Sequence, residues 1–164
     1  MAKEKEITPD IGPNIWLGDT GASCHMRFSE EGMYDMKNIN EKITVGNGEN
    51  MTAIKIGKWR GQIVDYKNNK QNVVVENVKV VPDLWTNLLS IGTILNKGGE
   101  ISNEGKIISL KKGNFTMVFD KTFTVNKYII PAIEILPRNQ INESKSKVNV
   151  AKIKMHQMLG HVGE

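Results

Sequence analysis

The stretch Trp16-Leu-Gly-Asp-Thr-Gly-Ala-Ser-Cys-His-Met26 carries the strongest local signal in the sequence, because an apolar strand runs directly into a loop that contains a glycine. Gly21 lets the backbone come close, so that backbone N–H groups and the Thr20 hydroxyl can face the Asp19 carboxylate. Six aspartates lie in residues 1–136, and the other five sit among polar or turn residues. Asp19 is therefore the candidate functional carboxylate. An Asx turn at the end of a strand is the alternative that the residues alone leave open.

The residues around this stretch predict a chain made mainly of strands. From residue 14 to residue 136 the sequence is rich in β-branched residues and is punctuated by Gly and Asn, as strands joined by short hairpins require. In the long strand predicted from Met51 to Tyr66, Gly57 and Gly61 are expected places for a bend or bulge. The predicted strands are Ile15–Gly18, Lys42–Val45, Met51–Tyr66, Asn72–Val81, Glu100–Ser102, Lys106–Leu110, Phe115–Phe119 and Phe123–Ile130.

One segment, residues 87–98, departs from the strand pattern. Its apolar residues recur at helical spacing from Leu88 to Leu95. Asn87 is the expected N-cap of this helix, and Gly98 is the expected residue after its C-cap. Many strands, one short helix and short connections together predict an all-β fold, namely a small closed β-barrel.

Composition limits the classes of protein to which the chain can belong. Its 164 residues are 39% hydrophobic and 24% charged, which is enough for one domain with its own core. No stretch approaches the roughly 18 apolar residues of a membrane-spanning helix. The charged start lacks the apolar region of a signal peptide. Cys24 is the only cysteine, so the chain forms no internal disulfide, and a reducing, cytoplasmic location is expected.

The net charge of +4 is concentrated towards the C-terminus. Residues 1–136 carry 17 Lys and Arg against 16 Asp and Glu, whereas residues 137–154 carry five basic residues against one acidic residue. A nearly neutral body argues against nucleic-acid binding as its main role. Composition divides the chain into a flexible leader (1–13), a β domain (14–136), a linker (137–151) and a final segment (152–164).

The string at residues 16–26 resembles the active-site loop of retropepsin-like aspartic proteases, and in particular that of copia-type retrotransposon Gag-Pol polyproteins. Three later segments resemble the same polyproteins in order and spacing. The first, Val45-Gly-Asn-Gly-Glu49, resembles a flap region. The second, Val80-Val-Pro-Asp-Leu-Trp-Thr-Asn-Leu-Leu-Ser90, resembles a segment that leads into a helix. The third, His156-Gln-Met-Leu-Gly-His161, resembles the opening of the pre-integrase region. The resemblance covers about residues 14–163.

The resemblance implies a retropepsin-like barrel that acts as a homodimeric aspartic endopeptidase on its own polyprotein, without a cofactor, a membrane or a nucleic-acid partner. Each chain would supply one Asp19, since this chemistry needs two carboxylates that share a proton and the chain has no second Asp-Thr/Ser-Gly loop. Thr20 would brace the loop across the two-fold axis, Gly21 would permit the turn, and Ala22 would pack beside it. In an active element the location would be a cytoplasmic virus-like particle. The implied flap residues are Val45, Gly46, Asn47 and Gly48.

Other motifs have ordinary structural explanations. Asn47-Gly48 is typical of a hairpin, and an ordinary surface hairpin is the alternative to a flap. As neighbours on a strand, Cys24 and His25 point to opposite faces, which argues against a nucleophile pair. His156 and His161 have the spacing of half a zinc site, but no cysteines follow to complete it, so no metal is expected.

Two rival hypotheses remain at the level of function. The first is a catalytically silent barrel from a decayed or co-opted element, which would serve as a binding or dimerisation module. The second is a piece of a zinc-dependent integrase, which rests on the C-terminal residues alone. The three tryptophans, Trp16, Trp59 and Trp85, are expected in the core or at a dimer contact rather than on a base-stacking platform.

Overall fold

The computed structural model describes residues 11–45, 48–64, 67–105, 107–125, 127–137 and 153–154. The fold is all-β with one short helix, as the sequence predicts. The elements in chain order are β1 (Ile15–Asp19), β2 (His25–Arg27), β3 (Met33–Thr44), β4 (Asn50–Val64), β5 (Lys70–Val80), β6 (Asn87–Ser90), α1 (Ile91–Asn96), β7 (Glu100–Glu104), β8 (Ile107–Lys112), β9 (Phe115–Phe119), β10 (Lys121–Val125), β11 (Tyr128–Pro137) and β12 (Ile153–Lys154). The described part contains no helix that is long and apolar enough to span a membrane.

The larger sheet has the strand order β10-β11-β1-β6-β2-β5-β4-β3, with β12 paired to β5. Its strand β1 lies between an antiparallel neighbour, β11, and a parallel neighbour, β6. The far end of β4 also pairs with β11, where Ile63 lies opposite Ile135. The pairings therefore return to their start, and β11, β1, β6, β2, β5 and β4 form a closed circuit of six paired strands.

A second sheet of three strands, β7-β8-β9, completes the main core. Its buried side chains, among them Leu110, Met117 and Phe119, join one hydrophobic cluster with Trp16 and Trp59 of the larger sheet. Residues about 100 positions apart in the chain, such as Trp16 and Met117, thus share one apolar interior. The hydrophobic effect on this interior is what holds the two sheets together.

Arg27 is buried between the two core tryptophans. Its guanidinium carbon lies 4.9 Å from the ring centre of Trp59 and 5.9 Å from that of Trp16. Its Nε donates a hydrogen bond to the backbone carbonyl of Ser29 (3.0 Å). Desolvation lowers the pKa of Arg27 to about 10, although the negative charge of Glu31 acts in the opposite direction. The ring contacts offset part of the cost of burying this cation.

The segment predicted as a helix from residue 87 begins as a strand instead. Asn87 is not the N-cap; it lies in β6, and its side-chain Nδ2 donates to the carbonyl oxygens of Pro13 (2.9 Å) and Ile15 (3.1 Å). Ser90 is the N-cap, and α1 follows it. Gly98 comes directly after the C-cap and has φ of +94°, as predicted for that position.

The single strand predicted from Phe123 to Ile130 is a hairpin. β10 ends at Val125, Lys127 takes a positive φ of +71°, and β11 returns with Tyr128 opposite Val125. The prediction failed here because no glycine marks the turn. Parts of the predicted leader and linker, residues 1–10 and 138–151, lie outside the described residues, as do residues 152 and 155–164 of the predicted final segment.

The expected irregularity in β4 is present at Gly57 but not at Gly61, where the β4–β5 register is regular. The β4–β5 register shifts between Gly57 and Trp59, which confirms the predicted bulge. Gly61 lies where β4 meets β11, and a Cβ placed there would lie 2.5 Å from the carbonyl oxygen of Leu136 and 2.7 Å from Ile135 Cγ2. The absence of a side chain at Gly61 is therefore what allows β4 and β11 to pair.

Substitution of Gly61 by alanine is expected to lower the free energy of unfolding by about 1–3 kcal/mol, because the added methyl group meets backbone that cannot move aside. The matched control is Gly12→Ala, since a Cβ at Gly12 meets nothing within 4 Å. Urea denaturation of the three proteins measures the effect. Equal midpoints for Gly61→Ala and Gly12→Ala would contradict this account of the β4–β11 contact.

Candidate active site

The Asp19 loop begins where β1 ends. The Gly21 N–H donates a 2.8 Å hydrogen bond to Oδ1 of Asp19. Asp19 is half-buried, whereas Thr20 and Gly21 are exposed. This bond is the Asx turn expected from the residues, and the same bond holds one carboxylate oxygen in a defined position. The turn and a functional carboxylate are therefore compatible at this position.

A network of hydroxyl groups fixes the loop to the start of α1. Ser90 lies beside Asp19 in the β1–β6 register. Its hydroxyl donates to the carbonyl of Ala22 (2.6 Å) and accepts from the Thr93 N–H (3.1 Å). The Thr93 hydroxyl donates to the carbonyl of Ser23 (3.4 Å). Sequence reasoning did not identify Ser90 and Thr93 as residues that hold the loop. The signal was present, because an N-cap serine accepts a hydrogen bond from the N–H three residues later, and Ser90 and Thr93 have that spacing.

Replacement of Ser90 by alanine is expected to lower the free energy of unfolding by about 1–2 kcal/mol, the range for loss of a good N-cap. The expected value is at the upper end because the loop carbonyl of Ala22 loses its donor as well. Thermal denaturation measures the loss, with Ser102→Ala on the exposed strand β7 as the control. A loss no larger than that of the control would show that the hydroxyl network does not hold the loop.

Cys24 and His25 are both buried and have different surroundings. Cys24 packs in a second hydrophobic cluster with Met26 and Val81. Nδ1 of His25 accepts a hydrogen bond from the Ser90 N–H (3.0 Å). The imidazole therefore supports the same junction of β6 and α1 that holds the loop, and this geometry favours a structural role for it.

An apolar pocket of about 470 Å³ opens beside the loop. Asp19 is the only charged residue that lines it within the described part of the chain. Its position places a carboxylate at the edge of a cavity that suits apolar groups. The lining residues are Leu17, Gly18, Asp19, Thr20, Leu88, Ile91, Ile101, Ile108, Tyr128, Ile129, Ile130 and Pro131.

The hairpin predicted from Asn47-Gly48 is formed by β3 and β4. The Val45 N–H donates to the carbonyl of Glu49 (2.9 Å), and Gly48, with φ of +86°, donates to the carbonyl of Val45 (2.8 Å). Two of the four predicted flap residues, Gly46 and Asn47, lie outside the described residues. Val45 and Gly48 do not line the pocket, but Val45 packs against the same second cluster as Ala22 of the loop.

The tryptophans and histidines complete the list of sequence candidates. Trp16 and Trp59 are core residues, exposed by 0% and 1%, whereas Trp85 is 41% exposed and is not in the core. His156 and His161 lie outside the described residues. Across the ranges that the structure describes, no group of three or more His, Cys, Asp or Glu side chains could hold a metal ion.

Comparison with known proteins identifies the region that contains the loop. The family model of the Pol polyprotein, beta-barrel domain, matches residues 16–99, which are just over half of the 164 residues. The match begins in β1, includes the Asp19 loop and the β3–β4 hairpin, and ends just after α1. No curated protein and no solved structure matches the chain. The chain therefore belongs to the Pol polyprotein beta-barrel domain family, a region of retrotransposon or retroviral Pol polyproteins.

Proposed function

We propose that this chain is the aspartic protease of a copia-type retrotransposon polyprotein, and that two copies form one active site. The observation that carries the proposal is the Asp19 carboxylate, which is held through Oδ1 by the Gly21 N–H at the edge of an apolar pocket. The closed circuit of six paired strands supports a barrel of the retropepsin type. Membership in the Pol polyprotein family supports the polyprotein as the substrate.

The chemistry requires two carboxylates that lie close enough to share one proton. One carboxylate takes a proton from a bound water molecule, which then attacks the scissile carbonyl carbon. The other carboxyl group donates a hydrogen bond to the carbonyl oxygen, on which negative charge develops. The Gly21 N–H bond to Asp19 holds the carboxylate still, so that little reorganisation is needed during the reaction.

A second copy of the chain is the proposed source of the second carboxylate. Among the described residues that line the pocket, Asp19 is the only acid, so one chain brings half of the required pair. Thr20 and Gly21 are exposed beside it, and a partner's loop can approach on that side. Symmetric pairing would then bring the two Asp19 residues together.

The β3–β4 hairpin is the proposed flap. Its first strand ends at Thr44, and the following Val45 packs on the same cluster as Ala22. Movement of the hairpin would therefore change the packing beneath the loop. Closure over an extended peptide would exclude water from the carboxylates. A cytoplasmic location and the assignment of the His156–His161 segment to a pre-integrase region are further parts of this proposal.

The test is cleavage of a Gag-Pol-like precursor by the purified chain. We expect the wild-type chain to release defined fragments, Asp19→Asn to release none, and Asp83→Asn, which changes an exposed aspartate away from the pocket, to match the wild type. The rate per mole of chain should also fall on dilution, because a monomer holds half of the site. Cleavage by Asp19→Asn at the wild-type rate would refute the proposal.

A folded dimer without activity on any precursor would support the second candidate, a silent barrel that serves as a binding or dimerisation module. The specific observation in its favour is that the described residues of one chain supply only one carboxylate to the pocket. A dimer that keeps its two Asp19 residues apart would be stable and inactive. Sedimentation of the inactive protein would distinguish this module from an unassembled monomer.

A further inference from the structure

The two edge strands of the larger sheet differ in how they are protected. β3 lies at one edge, and its register with β4 shifts after Tyr34 and after Asn38. Its charged residues are Asp35, Lys37, Glu41 and Lys42. Irregular pairing and charged side chains keep an exposed edge from pairing with another chain. β3 is therefore a protected edge.

β10 lies at the opposite edge and lacks this protection. Its register with β11 is regular, and β11 is its only neighbour among the described strands. Lys121, at its first position, is its only charged residue, and the strand contains no proline or glycine. The next three residues, Thr-Phe-Thr, are of types that favour strands. β10 is therefore an unprotected edge.

The register of β10 with β11 shows which backbone groups of β10 face outward. Opposite residues in antiparallel strands alternate between pairs that exchange both hydrogen bonds and pairs that exchange none. Thr122 lies opposite Pro131, which has no N–H and so cannot exchange both bonds. Thr122 and Thr124 therefore direct their N–H and C=O groups away from β11, towards the free edge. Both threonines are exposed.

We propose that β10 pairs antiparallel with β10 of a second copy of the chain, with Phe123 on the two-fold axis. In this register Thr122 of each copy lies opposite Thr124 of the other copy. The outward groups of each such pair exchange both hydrogen bonds, which continues the sheet from one copy into the next.

The strand is complementary to itself in this register. Phe123 meets its own copy in the closer, non-hydrogen-bonded type of pair. Phe123 is half-buried, packed on a cluster that contains Leu17, so an aromatic neighbour would cover its remaining surface. The two copies of Lys121 lie at opposite ends of the paired strands, so like charges do not meet. A second copy of the chain is therefore the partner that this edge fits.

This contact is separate from the proposed pairing of Asp19 residues. From β1 the sheet would run through β11 and β10 into the second copy, and then through its β10 and β11 to its β1. At roughly 4.8 Å between neighbouring strands, the two Asp19 residues would lie about 24 Å apart. They could not share a proton at that distance. The inference thus adds an assembly contact beyond the proposed function, and its failure would leave that function unaffected.

Charges introduced at positions 122 and 124 test this register. Thr122→Lys with Thr124→Lys places like charges opposite each other, whereas Thr122→Lys with Thr124→Glu places opposite charges there. The dissociation constant of the first double variant should be at least about tenfold higher, since like charges directly opposite destabilise paired strands. Sedimentation equilibrium of the full chain at low salt and high concentration measures both constants. Both variants keep the Asp19 loop, so a difference between them reports on β10.

The control is Ser102→Lys with Asn103→Lys, which adds the same charge to exposed residues of β7. Its dissociation constant should equal that of the wild type. Equal constants for the two β10 double variants would overturn the inference, as would a wild-type chain that stays monomeric at every concentration.

A disulfide test decides the matter if a charged variant fails to fold, as judged by circular dichroism. Thr122→Cys and Thr124→Cys change the size of the side chain little, and the native Cys24 is buried and does not compete. Opposite residues in the proposed pair have Cα atoms about 5.5 Å apart, which suits a disulfide. On oxidation, a mixture of the two variants should form the mixed disulfide at least about tenfold faster than either variant cross-links with itself. Equal rates would overturn the pairing.

Discussion

Wild-type chains mixed with a ninefold excess of Asp19→Asn chains are expected to lose about nine tenths of their peptidase activity, because random pairing leaves about one wild-type chain in ten with a wild-type partner. The mutant chain keeps the size of the side chain but cannot provide the negative charge and the proton that the pair exchanges. Alone, Asp19→Asn should be slower than the wild type by roughly 10²- to 10⁴-fold or more, the range contributed by general acid–base catalysis.

The measurement is precursor cleavage after the two chains have been left to exchange partners. An equal mass of an unrelated protein serves as the control for crowding and surface loss. A second control, the same excess of Asp83→Asn chains, should raise the activity, since these chains form active dimers. If a ninefold excess of Asp19→Asn leaves the rate of the wild-type chains unchanged, each chain works alone and the shared pair of carboxylates is wrong.

Substitution of Trp59 by alanine is expected to lower the free energy of unfolding by about 3–5 kcal/mol, as for other large-to-small changes in a core. Trp59 is 1% exposed, and its ring centre lies 5.6 Å from that of Trp16. It also covers the buried guanidinium of Arg27 at 4.9 Å. Domains have a total stability of roughly 5–15 kcal/mol, so this change removes a large part of it.

The matched control is Trp85→Ala, because Trp85 is 41% exposed and belongs to none of the hydrophobic clusters among the described residues. Guanidinium denaturation followed by circular dichroism should show a large shift of the midpoint for Trp59→Ala and a small shift for Trp85→Ala. Similar shifts for the two variants would mean that the tryptophan cluster is not the centre of the core.

The sequence allowed the all-β class and the Asp19 loop to be predicted because both depend on local signals. The apolar residues before Asp19 and the glycine after it specify a strand that enters a tight turn, and the structure has that turn. Long strands such as β4 and β5 also carry enough alternation to be recognised. The polar first half of β3, which has register shifts after Tyr34 and Asn38, carries no such alternation and was missed.

The junction of β6 and α1 shows why local patterns can mislead. Leu88 to Ile91 is a continuous run with apolar residues on both sides of Ser90, and such a run fits either a strand or a helix. The parallel pairing of Leu88 with Leu17 decides in favour of a strand up to Ser90. That pairing joins residues far apart in the sequence, so a local pattern does not contain it.

One wall of the pocket, formed in part by Ile101, Ile108 and Tyr128, could not be predicted from the sequence for the same reason. Ile101, Ile108 and Tyr128 come from three strands in two sheets, and nothing in their immediate sequence places them near Asp19. The hairpin that carries Tyr128 was itself predicted as one continuous strand. Packing of the second sheet onto the first brings these residues together, and single-sequence patterns do not specify that packing.

The pairing of β1 with β11 has a consequence for the order of events during synthesis. Trp16 leaves the ribosome early, but its partner in β11, Ile133, is translated last among the strands of the six-strand circuit. Until then the nascent chain exposes unpaired backbone along β1 and at the end of β4, where aggregation or capture by a neighbouring nascent chain can occur. The strand pairing around the Asp19 loop is therefore complete only after β11 has emerged.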